Sequence, residues 1–285
     1  MLESHLQNHI REVAQCPSFS TYEERLHPYI RSVFKALPEF EEMPVQGNNL
    51  IFRHSRGSDR PTIAITSHID KINHYGEDYP DVLPVSVTSK QIEGAMDDSA
   101  GVGLCLALAE ASVGKDWPGL MFFFSEMEEK KGLKEHPERL KNNGKGYMHG
   151  MGARRIAETC KTHNCVPDRV ITLDTTPLFK GEPGIALYSN HWELTELFAS
   201  KSLKDVTEKT VEALSHIYPD IKLHNNTNDY LHYGYEFNVD SAKEVVSIAV
   251  EPSIYPYHQQ GEKVYKKDIQ HVFYIVSTYL SGEEF

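Results

Sequence analysis

The sequence predicts an α/β fold, a three-layer α/β/α arrangement around a mostly parallel mixed central sheet. Three observations predict it. Short β-branched or aromatic apolar runs (TIAIT at 62–66, LMFFF at 120–124, VITL at 170–173) alternate with longer helical patterns. These runs are apolar throughout, as strands covered on both faces are. Ser99 to Ala111 (SAGVGLCLALAEA) is apolar nearly all round, as a helix packed on such a sheet is.

Taken in order, Leu2 to Ala14 and Tyr22 to Leu37 carry apolar residues at helical spacing, with Ser20-Thr21 before Glu23-Glu24 as an N-cap signal. Phe40 to Val45 and Asn49 to His54 read as a hairpin around Gly47-Asn48. Arg60-Pro61 introduces the strand Thr62 to Thr66, and Val85 to Thr88 is a short strand. Leu120 to Phe124 is the next strand. Lys130 to Gly150 is polar and glycine-rich, a long surface loop with one helical turn at Pro137 to Lys141. Such loops are either solvated insertions or lids. Ala153 to Thr162 is a helix, Arg169 to Asp174 and Ile185 to Ser189 are strands, and His191 to Leu203 and Val206 to Tyr218 are helical. Asn225 to Tyr235 is a loop whose Tyr230, His232, Tyr233 and Tyr235 could line a pocket. Glu244 to Val250 is a strand and Asp268 to Leu280 a closing amphipathic helix. With no internal repeat and no low-complexity linker, residues 1–285 read as a single domain.

The composition, 40% hydrophobic and 25% charged, supplies a core and excludes disordered and fibrous classes. A net charge of -12 argues against nucleic-acid binding, which needs a basic face. No apolar run approaches a membrane span. The N-terminal MLESHLQNHIREVAQ lacks the pattern of a signal peptide, so a cytoplasmic protein with reduced thiols is expected. Cys160, His163 and Cys165 form a possible metal nest that lacks a fourth ligand.

Chemistry-bearing residues gather where strands end, the edge at which sites form in open α/β sheets. The first strand ends at His68 and Asp70. The second ends at Glu128-Glu129, with Glu126 nearby. The third ends at Asp174, and the last leads through two prolines to His258. Asp97-Asp98 precedes the apolar helix as a cap or as ligands. Two histidines and several carboxylates fit the count for two Zn²⁺ ions about 3.5 Å apart, bridged by a carboxylate. A further carboxylate must take the proton from the attacking water.

The order H-x-D, G-A-x-D-D-x-A-G, E-E, strand-end Asp and late His resembles the co-catalytic di-zinc exopeptidases. The resemblance spans residues 62–280 and implies a phosphorylase/hydrolase-like fold. It implies that His68 and Asp174 hold one zinc, Glu129 and His258 the other, and that Asp97 bridges. It makes Asp70 the carboxylate that orients His68 and Glu128 the general base. Co²⁺ or Mn²⁺ are possible substitutes for zinc. Gly152-Ala153 through Asp174 and Tyr257-His258 through Ile269 are similar to the tetrahedral-type aminopeptidases. Lys130-Lys131 depart from the family's glycine after the paired glutamates, which leaves Glu126 competing with Glu128. Only 26 residues separate Asp70 from Asp97, too few for an inserted domain. The implied activity is removal of N-terminal residues from peptides. An amide deacylase acting on N-acyl amino acids, a carboxypeptidase, a glutaminyl-cyclase-like enzyme and an inactive binding relative are the alternatives. Asp229, Glu236 and Asp240 are candidates for recognising a free amine, and an oligomer is possible.

Overall fold

The computed structural model describes residues 2–54, 61–195, 197–224, 232–241 and 243–282. Its strands are β1 (Phe40–Met43), β2 (Leu50–His54), β3 (Thr62–His68), β4 (Ser86–Val87), β5 (Gln91–Gly94), β6 (Gly119–Ser125), β7 (Arg169–Leu173), β8 (Ile185–Tyr188), β9 (Lys222–His224), β10 (Val246–Pro252), β11 (Ile254–Tyr255) and β12 (Glu262–Tyr265). Its helices are α1 (Leu2–Gln15), α2 (His27–Lys35), α3 (Ser99–Ser112), α4 (Lys130–Glu135), α5 (Met151–Thr162), α6 (His191–Thr195), α7 (Lys201–Ile217), α8 (His232–Asn238) and α9 (Lys266–Ser281).

Eight strands form the central sheet in the order β1-β2-β6-β3-β7-β10-β8-β9. Strands β6, β3, β7 and β10 run parallel, with antiparallel neighbours outside them. The apolar runs explain their central place, because alternate residues serve opposite layers. Phe122 and Phe124 of β6 join Ile63 and Ile65 in a core with α1, α2, α3 and α9. Met121 and Phe123 of the same strand pack with Ala64, α5 and α8. That split is the three-layer arrangement. Helix α3 lies between the sheet and α1, and Gly103 permits the close crossing. A Cβ there would sit 2.4 Å from Ile10 Cγ1.

Several elements differ from the sequence reading. Tyr22 to Leu37 splits into a 3-10 turn at Glu23–Arg25 and α2, because Pro28 sits where a helix begins. Thr21 is not a helix cap. Its N–H donates to Glu23 Oε1 at 2.8 Å. The stretch 191–203 breaks after Thr195, and Ser200 caps α7 by accepting from Leu203 N. Residues 130–150 carry α4 and 3-10 turns at Pro137–Arg139 and Lys141–Gly144. A second, antiparallel sheet, β11-β12-β5-β4, was not foreseen beyond the Val85 to Thr88 segment. His9 and His27 are buried, His27 against the Asn48 carbonyl at 2.8 Å. Tyr230 and Asp229 lie outside the described residues.

Candidate metal centre

The parallel strands β3, β6 and β7 end together, and so do their polar residues. His68 is the last residue of β3, and the cap segment before α3 brings Asp97 to it. His68 Nε2 lies 3.1 Å from Asp97 Oδ1 and 3.6 Å from Asp174 Oδ2. His258 Nε2 lies 3.3 Å from both Asp97 Oδ2 and Glu129 Oε2. The two donor groups, His68/Asp97/Asp174 and Asp97/Glu129/His258, each have the reach to hold one cation. They share Asp97, which offers a different oxygen to each. All five expected ligands are thus brought together.

The orientation of His68 follows from Asp70. Its Nδ1 lies 3.0 Å from the Asp70 carbonyl oxygen and 3.3 Å from Asp70 Oδ1. A proton on Nδ1 leaves the Nε2 lone pair facing Asp97 and Asp174. Asp70 in turn accepts from Ser20 Oγ at 2.8 Å, Glu128 N at 2.9 Å and Glu129 N at 3.1 Å. One buried carboxylate therefore sets both the histidine and the Glu128-Glu129 backbone. Next in the chain, Lys71 donates to Val13 O, Cys16 O and Ser18 Oγ, tying the C-terminal end of α1 to the site.

Glu262, which the sequence reading missed, holds the opposite side. Its Oε2 accepts from Met96 N at 2.9 Å and Asp97 N at 3.1 Å, and its Oε1 accepts from His258 N at 3.1 Å. It lies on a four-residue strand of the small sheet, with only its position four residues after His258 to signal it.

Buried together, these groups shift one another's protonation. Burial and the neighbouring Asp97 push Glu129 well above the usual carboxylate range, and burial pushes Asp174 up to about 6. Burial would also raise Asp97, but hydrogen bonds from His258 and His68 outweigh it and hold it low. Burial works against a charged His68, yet Asp174, Asp70 and Asp97 together hold it well above its ordinary value. Glu129 Oε2 is buried without a hydrogen bond among the described residues. Buried carboxylates around two imidazoles, with one oxygen that accepts no hydrogen bond, suit divalent cations.

Asp98 is the N-cap of α3, its Oδ1 accepting from Gly101 N at 2.8 Å and its Oδ2 from Ser67 Oγ. It serves the cap and belongs to neither donor group. The contest between Glu126 and Glu128 has a geometric side. The buried Glu126 carboxylate accepts from Asn48 N, Asn49 Nδ2 and Arg155. Glu128 is half-buried, and both glutamates line a cavity with His68, Asp174, Gly150, His232 and Tyr233, so their different hydrogen bonding, not their place, separates them. The stretch read as a loop carries α8 from His232, and of its four expected lining residues His232 and Tyr233 line that cavity. Glu236 lies on α8 with its carbonyl oxygen accepting from Lys161 Nζ, and Asp240 is exposed; neither lines it.

Cys160 and Cys165 are buried and share a thiol hydrogen bond, which pushes Cys160 up and holds Cys165 down at about 7. His163 is exposed, so the nest does not form. His149, absent from the expected site, sits beside Glu128 and donates through Nδ1 to the Glu128 carbonyl oxygen.

The sequence profile of peptidase family M28 matches residues 49–279, and the chain belongs to that family. It is therefore a metal-dependent peptidase hydrolase by family. The fold is similar to an aminopeptidase of the archaeon Desulfurococcus kamchatkensis, with TM-score 0.67, 12% identity, and 99% of this chain and 96% of that one covered. It is also similar to the TET1 peptidase of Pyrococcus horikoshii (TM-score 0.64, 15% identity, 98% and 99% covered). Aminopeptidase PepT of Bacillus cereus is a third likeness (TM-score 0.63, 13% identity, 98% of each chain covered). No curated protein matches the chain by sequence. Among the described residues no helix is long and apolar enough to cross a membrane.

Proposed function

We propose that the chain is a di-zinc aminopeptidase that removes N-terminal residues from peptides. The observation that carries this reading is the division of Asp97 between two donor groups, with the half-buried Glu128 beside them. His68 and Asp174 would hold one zinc, His258 and Glu129 the other, and Asp97 both. Two divalent cations there would polarise the scissile carbonyl and acidify a nearby water.

The chain's own residues do the rest. Glu128 accepts the proton as water attacks and delivers it to the leaving amine. The Glu128 and Glu129 N–H groups on Asp70 hold the base and the ligand in fixed relation. Three donors already occupy Glu126, which favours Glu128 as the base. In the 130–150 segment, Lys131 Nζ donates to the His258 carbonyl oxygen at 3.3 Å, tying that segment to the site. We read residues 1–285 as a single catalytic unit. Support for an aminopeptidase comes from the two fold relatives that carry that name. The TET1 peptidase assembles into a tetrahedron or a large octahedral shell, which supports testing this chain for oligomers.

The test is Glu128→Gln beside Glu126→Gln, assayed on an aminoacyl chromogenic substrate with elemental analysis of metal. Glu128→Gln should lower turnover by roughly 10² to 10⁴ with two metals per chain retained. Glu126→Gln should keep turnover and lose stability. Normal turnover in Glu128→Gln, or a loss confined to Glu126→Gln, would overturn the assignment.

A further inference from the structure

We propose that His149, His232 and the Glu128 carboxylate form a third zinc site, and that zinc bound there inhibits the enzyme by occupying its base. The inhibitory part rests on the reading of Glu128 given above; the site itself does not.

The three residues offer one donor atom each, all within 4.8 Å of one another. Imidazole nitrogens bound to one tetrahedral zinc at about 2.0 to 2.1 Å lie about 3.3 Å apart. His149 Nε2 and His232 Nε2 are 3.1 Å apart and hydrogen-bonded to each other, with rings crossed at 80°; zinc would take the place of the proton they share, which leaves to solvent. That separation matches His68 Nε2 to Asp97 at 3.1 Å and His258 Nε2 to Glu129 at 3.3 Å in the paired-metal groups.

The ligands are held in place before any ion arrives. His149 donates through Nδ1 to the Glu128 carbonyl oxygen, so its Nε2 carries the lone pair. Zinc-binding histidines are oriented in this way, by an outer hydrogen bond to a carbonyl or carboxylate. One residue further, Gly150 N donates to Met127 O at 2.9 Å, which lays 149–150 alongside 127–128. Gly150 has a φ of +75°, and a Cβ there would sit 3.1 Å from the His232 ring. Only glycine gives both the backbone turn and the room for that imidazole. His232 comes from a different element, the first turn of α8, which packs on α5.

Both histidines are partly exposed, and His232 lines the cavity together with Glu128, so an ion can reach the group from that side. Zinc there would need the Glu128 oxygen that takes the proton from water. Two carboxylate–histidine groups would then hold the working metals tightly, and a third with partly exposed donors would fill at higher free zinc.

The experiment uses Zn²⁺ itself on the full-length chain loaded with two equivalents. Zinc bound per chain is measured by equilibrium dialysis, and turnover is followed as free zinc rises. Wild type should bind a third zinc and lose turnover over the same concentration range. Each of His149→Gln and His232→Gln should need at least about tenfold more zinc for the same fractional loss, since outer partners alone cost that much. The two variants alter different elements, so a folding defect in one leaves the other informative. A wild type that stops at two zincs, or variants that bind the third as well as wild type, would overturn the site. A third zinc bound without loss of turnover would overturn its inhibitory role. A third zinc bound by a chain with no peptidase activity would instead count against the proposed function and leave the site standing.

Discussion

Asp97 shows what could and could not be read one residue at a time. Its place before an apolar helix was visible, but as a cap or a ligand. The structure divides the positions, giving the cap to Asp98 and placing Asp97 in both donor groups. His68, Asp70, Glu129, Asp174 and His258 were legible because each ends a strand or its extension. Glu262 and His149 were not legible, because each acts through backbone groups distant in sequence. Another such residue is His191, buried against Gly234, where a Cβ would lie 2.2 Å from its ring. Burial lowers its pKa to about 4 from an ordinary 6.5. The folded chain therefore resists a proton that the unfolded chain accepts. The contribution is full above pH 6.5 and is lost as pH falls toward 4, by roughly 3 kcal/mol. Urea unfolding of wild type and His191→Gln between pH 7 and 4 checks it. The wild type should lose stability with falling pH more steeply than the variant. Parallel curves would show that His191 takes no part.

At the scale of elements, the parallel strands were readable because they are apolar on both faces. The small sheet was not, because β4, β11 and β12 are two to four residues long and mixed in character. Yet β12 carries Glu262, which couples Asp97 to His258. Glu262→Ala should lower metal affinity by about 10- to 100-fold, read by competition with a chelator. Unchanged affinity would reduce Glu262 to a folding role. The start of α3 is equally constrained. A Cβ on Gly101 would lie 2.3 Å from both Asp98 Oδ2 and the Leu173 carbonyl oxygen. Gly101→Ala should therefore cost at least about 1 to 3 kcal/mol of stability, since backbone must move. A denaturant midpoint equal to wild type would contradict that packing.

For the whole molecule, the layered core and the centre form one system. The carboxylates that would hold cations are buried at the ends of the strands that carry the core. Removing the cations leaves that charge uncompensated, so a chelator should lower the thermal unfolding midpoint. Ions present at 1,000 times their dissociation constant contribute about 4 kcal/mol. Calorimetry with and without chelator measures it, and a midpoint indifferent to metal would separate folding from the site. The 130–150 segment is the part least legible in sequence. Residues 130–150 are polar and rich in glycine, and their short helical turns depend on contacts such as Lys141 N to Thr21 Oγ1 at 3.0 Å.

The central claim is that Asp97 joins two cation sites. An anomalous difference map at the zinc edge, from crystals with two equivalents of zinc per chain, tests it most directly. The account predicts two peaks about 3.5 Å apart, one against His68 and Asp174 and the other against Glu129 and His258, with Asp97 reaching both. A single peak, or two peaks of which Asp97 touches only one, would contradict it.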